Sequence, residues 1–205
     1  MNNKIYLYRI THIENIPHIL RCGITHITSP NRNPDYRPIG DSSLISTRNS
    51  FEMPCGKSLG DYIPFYFGYR MPMLYVVQKG FNSVAIIAPE NIVYCVSSVQ
   101  KMIDLKMKFV FTDGHAVNGL SNFYTSEDVK NINTLIDFQA IKAKFWKDEN
   151  DLDLKRRKEA EFLAEGDIPV EAILGYAVYN RQAEMNLQSI GINAQKIVVR
   201  PDYYF

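Results

Sequence analysis

The chain has 205 residues, of which 46% are hydrophobic and 12% aromatic; this suffices for one large packed domain and excludes global disorder. Lys and Arg number 23 against 22 Asp and Glu, and the resulting net charge of +1 excludes nucleic-acid binding through overall charge, so a polyanion would need a local basic patch. No apolar run reaches the length of a signal peptide or a membrane span, and we expect a cytoplasmic protein with no membrane partner.

The first third of the chain predicts strands, one helix and a long loop. Residues 5–11 are aromatic and β-branched and predict a strand. A helix is expected over 13–20, with Gly23 as its C-terminal cap. Residues 28–43 are rich in Pro and Asn and predict an irregular loop, and loops of that length are usually functional. The aromatic run 60–67 leads into another strand.

The remainder predicts further strands around two helical segments. Apolar runs predict strands at 74–77, 83–88, 91–97, 109–112, 172–178 and 194–200. Helical spacing of Phe138, Ile141, Phe145 and Trp146 predicts helix within 132–148, and a second helix is expected near 180–190. Without repeats or a low-complexity linker, residues 1–205 read as a single α+β domain with a mostly antiparallel or mixed sheet.

Several enzyme classes lose support because their motifs are absent. The chain contains no GxGxxG, P-loop, HExxH or GxSxG motif, which disfavours Rossmann dehydrogenases, P-loop NTPases, zincins and serine hydrolases. The three cysteines, Cys22, Cys55 and Cys95, form no CxxC pair, so we expect neither a disulfide framework nor a metal site.

Four polar or aromatic clusters could carry chemistry. Residues 8–12 end a strand before a helix, where a nucleotide could bind, although Thr11 or His12 could equally serve as a helix cap. Within 40–48, Arg48 could clamp phosphate or another anion, or lie on the surface. The aromatic run 61–75 could stack a flat heterocycle, with most of its rings in the core. Residues 111–116 form an Asp-Gly turn that carries a histidine.

The segment 155–163 combines four consecutive cations with two carboxylates. Lys155–Lys158 precede Glu159 and Glu161, which alternate with apolar residues. A carboxylate supported by Phe162 and Leu163 could line a pocket wall, and the cations could hold a polyanion nearby. The simpler alternative is a solvated helix end with mixed charges.

Six colinear stretches resemble the DarT family of DNA ADP-ribosyltransferase toxins. They are YRITHIENIPHIL, PIGDSSLISTR, GDYIPFYFGYRMPML, FVFTDGHA, NFYTS and KEAEFL, spread from about residue 6 towards the C-terminal tyrosines. The resemblance implies an ADP-ribosyltransferase fold, with a split mixed or antiparallel sheet around an NAD-binding cleft. It also implies transfer of ADP-ribose from NAD, as co-substrate, to a base of single-stranded DNA, usually thymine.

The resemblance assigns roles to individual residues. Glu161 matches the family's catalytic glutamate and Arg48 its essential arginine. The implied NAD-binding set is His12, Ile13, Glu14, Gly23, Gly40, Arg48, Tyr66, Phe67 and Met73, with the loop from about 28 to 47 as the NAD-binding element. The implied DNA-contacting set is His115, Trp146, Lys155, Arg156 and Arg157.

These assignments give a chemical hypothesis. Glu161 would hydrogen-bond a ribose hydroxyl and stabilise an oxocarbenium-like state, whereas Glu159 is expected to point elsewhere on the same strand. Because a guanidinium is almost never neutral, Arg48 should stabilise a thymine anion or the NAD phosphates, and His115 is a candidate proton acceptor. Cations would attract the DNA backbone, and they are Lys142, Lys144, Lys147, Lys155, Arg156, Arg157 and Lys158. Aromatic rings would stack its bases, and they are Tyr124, Phe145 and Trp146.

Alternatives of other classes remain at this stage. The same cleft could modify guanine, RNA or protein, or the chain could be a non-catalytic binding module with an NAD fold. The resemblance implies one macromolecular partner besides DNA, a DarG-type macrodomain antitoxin.

Overall fold

The computed structural model describes residues 4–54 and 56–205, so Cys55 and the first three residues lie outside the described residues. The strands are β1 Tyr6–His12, β2 Tyr62–Tyr66, β3 Ile92–Ser98, β4 Phe109–Thr112, β5 Phe123–Thr125, β6 Glu161–Glu165, β7 Gly175–Val178 and β8 Ile197–Val199. The α-helices are α1 Ile16–Cys22, α2 Ser42–Ser50, α3 Pro72–Lys79, α4 Val99–Asp104, α5 Ile132–Leu135, α6 Phe138–Lys142, α7 Leu154–Lys158 and α8 Arg181–Ser189.

The described strands form one open sheet in the order β5-β4-β6-β2-β1-β3-β7-β8. Neighbours from β5 to β7 run antiparallel, and β7 and β8 run parallel, so the sheet is mixed. In its middle, β1 and β2 share a single registered pair, Tyr8 with Tyr66. The guanidinium of Arg9 adds a bond across this split by donating to the Pro64 carbonyl at 2.9 Å. The predicted α+β class with a split mixed sheet is confirmed.

Strand alternation places β6 between two apolar clusters. Phe162 and Ala164 belong to the main core, whereas Leu163 packs with Met53 and Ala116 in a smaller cluster on the other face. Successive side chains of a strand point to opposite faces, so Glu161 shares the face of Leu163 rather than that of Phe162. The first residue of β6 therefore faces the small cluster and the segment that carries Ala116.

Two predicted strands are wrong. The run 74–77 lies inside helix α3, which begins at Pro72. Gly80 caps the end of this helix, and its backbone has the left-handed conformation. Its buried positions, which include Leu74 and Val77, follow helical spacing, and a short apolar run does not distinguish a strand from a buried helix. Residues 84–88 form no regular element, because positive φ angles at Asn82 and Ser83 turn the chain just before them.

Other expectations hold with narrower bounds. The loop after residue 28 is irregular as predicted until α2 begins at Ser42. The helical signal over 132–148 resolves into the short helices α5 and α6, because Asp137 caps a new helix by accepting from the Gln139 and Ala140 N–H groups. Residues 143–148 lie outside any helix.

Candidate active site

A buried carboxylate lies at the centre of the site. Arg48 Nη1 donates to Glu161 Oε2 at 2.8 Å, and the Ala116 N–H donates to Glu161 Oε1 at 3.0 Å. Glu161 is 0% exposed and Arg48 is 16% exposed. Each carboxylate oxygen therefore has its own donor, one from a helix and one from a backbone amide, and both fix the orientation of the carboxylate.

The sheet positions this carboxylate at the split. Glu161 begins β6 directly opposite Tyr66, the last residue of β2, and Tyr66 also forms the single β1–β2 pair with Tyr8. Burial raises the pKa of the Tyr66 phenol, and the Glu161 carboxylate adds to this rise. The phenol therefore stays protonated and can donate a hydrogen bond beside Glu161.

Arg48 extends into the site from α2, a helix that is almost entirely exposed to solvent. The residues of α2 are exposed except Arg48, and Asp41 caps the helix by accepting from the N–H groups of Ser43 and Leu44. Arg48 Nη2 is buried and has no hydrogen-bond partner among the described residues. A buried donor without a partner is destabilising by itself. It is therefore available for an oxygen of a bound substrate.

The loop before α2 is anchored to the end of β1. The Asn15 side chain accepts from Arg37 N at 2.8 Å and donates to Arg37 O at 2.8 Å and to Thr11 Oγ1 at 3.0 Å. Arg37 also pairs with Glu14, and the buried His12 ring caps the following turn by accepting from the Glu14 N–H at 3.2 Å. Burial lowers the pKa of His12, and Arg37 lowers it further.

A second anchor holds the start of the same loop. Asp167 accepts from His26 N at 2.7 Å and from Ser29 Oγ at 2.6 Å. His26 Nε2 lies 2.6 Å from Gly60 O. The predicted NAD-binding loop is therefore anchored at its start by Asp167 and again at Arg37, and His12, Ile13 and Glu14 lie near the second anchor.

A small apolar cavity of about 10 Å³, room for about one water, lies beside the split. Its lining includes Tyr8, Tyr66, Gly68, Met73 and Tyr94. Tyr66 Oη lies 3.8 Å from Met73 Sδ. A Cβ at Gly40 would meet the same sulfur at 3.9 Å. Three members of the predicted NAD-binding set, Gly40, Tyr66 and Met73, therefore meet at one wall.

Two members of that set occupy other positions. Phe67 is not among the residues that line the cavity; its ring packs edge-to-face against Phe138 and Phe162 in the main core. Gly23 ends α1 as predicted, with φ of +78°, and a Cβ there would lie 2.0 Å from Ile168 O. A side chain at position 23 would therefore clash where the end of α1 packs against the Ile168 carbonyl, which explains the glycine.

The basic run before Glu161 divides into different environments. Lys155 is exposed. Arg156 is 12% exposed and pairs with Asp113 at 2.8 Å and Asp153 at 2.6 Å. Arg157 pairs with Asp137, Asp151 and Asp153. Most of this positive charge is thus already matched by aspartates within the protein.

Lys158 does not fit the expectation that all four cations of the run attract DNA. It is 1% exposed and donates to Ile141 O at 2.9 Å and Ala143 O at 2.8 Å. Burial lowers its pKa to about 8. Lys158 therefore holds the end of α6 and does not offer its charge to DNA.

Glu159 does not lie on β6, the strand that carries Glu161. It caps the end of α7, so the expectation that it points elsewhere on a shared strand is wrong about the element. Burial raises its pKa to about 7; Lys155 opposes this rise and Glu161 adds to it. His115 lies in the turn after β4, where burial lowers its pKa more than Glu161 raises it, which favours the neutral imidazole.

The predicted stacking residues lie on two surfaces. Trp146 contacts Tyr75 and Phe205 edge-to-face, with ring centroids 5.6 Å apart in each case. Phe145 is 71% exposed beside it. Tyr124 instead stacks on Phe111 at 5.2 Å, on the β4–β5 side of the sheet.

Sequence reasoning missed several residues that build the site. Ala116 acts through its backbone amide, for which a sequence carries no signal. Asn15 and Asp167 act through loop contacts from distant positions. Thr112 binds the backbone of Glu161, and its place at the end of a strand before an Asp-Gly turn was the available hint.

Within 4–54 and 56–205, no three His, Cys, Asp or Glu side chains are grouped as a metal site would require. None of the helices in these ranges has the length and apolar character needed to cross a membrane.

The split mixed sheet and the buried glutamate fixed at the split are the features expected of an enzyme of the ADP-ribosyltransferase class. The chain belongs to the DarT family, because the sequence model of the family described as "DarT: ssDNA thymidine ADP-ribosyltransferase, DarT" matches residues 8–205.

Similar proteins span nearly the whole chain. A DNA ADP-ribosyl transferase of Thermus sp. (strain 2.9) is 33% identical over 209 residues, which cover 97% of this chain and 95% of that protein. A DNA ADP-ribosyl transferase–DNA ADP-ribosyl glycohydrolase fusion protein of Thermosipho africanus is 28% identical, over 97% of this chain and 48% of the fusion.

Solved structures agree in fold. Thermus sp. 2.9 DarT in complex with ADP-ribosylated ssDNA matches with a TM-score of 0.85 and 32% identity, covering 98% of this chain and 96% of that chain. The same protein in complex with NAD+ matches with a TM-score of 0.80, covering 98% of each chain. The predicted family, fold class and enzyme class are confirmed.

Proposed function

We propose that this enzyme transfers ADP-ribose from NAD to thymine in single-stranded DNA, with Glu161 and Arg48 as its catalytic residues. The observation that carries the proposal is the buried Glu161 carboxylate, fixed by Arg48 at 2.8 Å and by the Ala116 amide at 3.0 Å at the split of the sheet. The matched Thermus structures, bound to NAD+ and to ADP-ribosylated ssDNA, support the same pair of substrates.

The first step breaks the bond between the anomeric carbon of ribose and the nicotinamide nitrogen. Nicotinamide leaves with the bonding electron pair, and positive charge develops on the ribose. A carboxylate that accepts a hydrogen bond from a ribose hydroxyl stabilises that charge. Glu161 suits this role because its two donors fix it before substrate binds, which avoids reorganisation during the reaction.

The second step joins a ring nitrogen of thymine to the anomeric carbon, and that nitrogen loses its proton. Arg48 keeps one guanidinium nitrogen on Glu161 and has a second, buried one without a partner, which can donate to an oxygen of the thymine anion or of an NAD phosphate. A guanidinium does not accept a proton at neutral pH. His115, whose pKa burial lowers, is the proposed acceptor.

DNA would approach over the α6–α7 side of the cleft. Lys155 is exposed there, and the segment after α6 presents Phe145 and Trp146 among the exposed lysines 142, 144 and 147. Cations attract the DNA backbone and aromatic rings stack unpaired bases, which explains a preference for single strands. Arg156 and Arg157 are already paired with aspartates, so they would attract the DNA backbone less than Lys155 does and would contribute mainly by lying next to the bound strand.

The biological setting follows from the activity. A bulky ADP-ribose group on the ring nitrogen of thymine would block base pairing during replication, so we propose that this chain acts as a cytoplasmic toxin. Its proposed partner is a DarG-type macrodomain antitoxin with ADP-ribosyl glycohydrolase activity. The fusion of both activities in the Thermosipho africanus relative supports this pairing.

Mass spectrometry of oligonucleotides tests the proposal. The protein is incubated with NAD and with single-stranded oligonucleotides that contain guanine and either one thymine or a cytosine in its place, and separately with RNA and with protein acceptors. We expect an ADP-ribose adduct only on the thymine oligonucleotide. Adducts on guanine, RNA or protein with thymine left intact would support the alternative acceptors, and nicotinamide release without any adduct would contradict the proposed transfer.

Variants assign the catalytic residue. Glu161→Gln keeps the size of the side chain and removes its charge, and we expect transfer to fall about 100-fold or more with the fold intact. The exposed Glu171→Gln is the matched control and should react like the wild type. Equal activity in all three proteins would exclude Glu161 as the catalytic residue, and equal inactivity would favour a binding module.

A further inference from the structure

We propose that the hydroxyl of Thr112 is a positioning group for Glu161, holding both the glutamate backbone and the turn that supplies the Ala116 amide. This inference rests on the proposed catalytic role of Glu161. Thr112 is 0% exposed and ends β4, the strand next to β6.

The hydroxyl replaces a missing backbone bond at the end of the sheet. The β4–β6 ladder stops at the pair Phe111 and Phe162, one residue before Thr112 would lie opposite Glu161. At that point the Glu161 N–H donates to Thr112 Oγ1 at 3.1 Å. The hydroxyl proton in turn goes to Gly114 O at 2.6 Å. One side chain therefore satisfies a donor on β6 and an acceptor on the turn.

These bonds close a ring around the carboxylate. From the Glu161 N–H the path runs through the Thr112 hydroxyl to Gly114 O, along the chain to the Ala116 N–H, and back to Glu161 Oε1. The ring fixes the distance between the glutamate backbone and the amide that orients its side chain. Without Thr112 Oγ1, the turn and the strand could shift against each other.

The far side of the turn is held independently. The His115 N–H donates to Arg156 O at 3.0 Å, and Arg156 Nη1 donates to Asp113 Oδ1 at 2.8 Å. The turn as a whole should therefore survive the loss of the Thr112 hydroxyl. What would be lost is its fine placement against Glu161, and errors of about 1 Å in a reacting group can reduce rates about 100-fold.

Three variants test the proposal by steady-state kinetics. Thr112→Val keeps shape and removes the hydroxyl, and we expect kcat for transfer to fall about 10- to 100-fold with KM for NAD changed less than about twofold. Thr112→Ser restores the hydroxyl and should return kcat to within about threefold of wild type. Ser97→Ala removes another buried hydroxyl, bound to Ala172 O at 2.7 Å on β3, and should leave kcat unchanged.

Two outcomes would overturn the proposal: wild-type kcat in Thr112→Val, or a larger loss of kcat in Thr112→Ser than in Thr112→Val, which would assign the effect to the methyl group that valine keeps and serine lacks. If the valine variant does not fold, Thr112→Cys provides the same comparison, because its thiol is a weak hydrogen-bonding group; wild-type kcat there would also overturn it. Glu161→Gln run in parallel separates the two hypotheses. An active Glu161→Gln refutes the catalytic assignment itself, whereas an inactive one beside a fully active Thr112→Val refutes only the role of Thr112.

Discussion

Replacing Glu159 with glutamine should stabilise the protein at neutral and alkaline pH and have little effect at acidic pH. Glu159 is half-buried at the end of α7, and burial raises its pKa from 4.5 to about 7. Between these two values the folded state keeps a proton that the unfolded chain has released. The stability contributed by that proton is fully present below about pH 4.5 and is lost as pH rises through about 7. The loss amounts to about 3 kcal/mol, an upper limit because the carboxylate keeps some hydration.

The assay is urea unfolding of wild type, Glu159→Gln and the exposed control Glu171→Gln at pH 5, 6, 7 and 8. The difference in unfolding free energy between Glu159→Gln and wild type should grow from less than about 1 kcal/mol at pH 5 to about 2–3 kcal/mol at pH 8. The control should show no such trend. A difference that stays constant across the four pH values would refute the reasoning, because it would show that Glu159 has the same proton affinity in both states.

Three further substitutions have defined outcomes. Arg48→Lys should lower kcat for transfer about 100-fold in the oligonucleotide assay, because one ammonium cannot hold Glu161 and present a second fixed donor; near-normal kcat would show that charge alone suffices. Lys158→Met should lower the unfolding free energy in urea by about 2 kcal/mol, since two carbonyls at the end of α6 lose their donor, and an unchanged midpoint would contradict this. Gly23→Ala should be destabilised by more than about 2 kcal/mol through backbone clash, whereas Gly191→Ala, which also has positive φ but open space, should lose less; equal losses would assign the whole effect to φ.

The sequence predicted β1, β3 and β4 well because each is a β-branched or aromatic run between turn residues. It failed over 74–77 because a buried helix and a buried strand can show the same four apolar letters. Pro72 and Gly80, which begin and end α3, were the signals that distinguish the two. These two flanking residues should have outweighed the apolar run in choosing between a helix and a strand.

The site was predictable in its residue types and not in its connections. Arg48 and Glu161 stood out separately, and the family resemblance suggested that they act together; the residues alone gave no reason to pair groups 113 positions apart. In the basic run 155–158, the sequence could not show which cations are buried. Its cations looked equivalent in sequence, yet Lys158 is buried on backbone carbonyls while Lys155 is exposed, because burial depends on which partners the fold brings from α6 and the preceding loop.

The pairing of Arg48 with Glu161 also bears on the proton that thymine must lose. The two charges neutralise each other, so the pair itself adds no net attraction for an anionic substrate, and that attraction must come from exposed cations such as Lys155. The pair instead fixes the orientation of its groups. Arg48 Nη1 holds the Glu161 carboxylate, and Arg48 Nη2 is buried without a partner among the described residues. A donor in that position stabilises an anion as it forms, which makes a weak base sufficient to take the proton. In the proposed mechanism the neutral imidazole of His115 is that base, so the Arg48 guanidinium does not have to accept the proton.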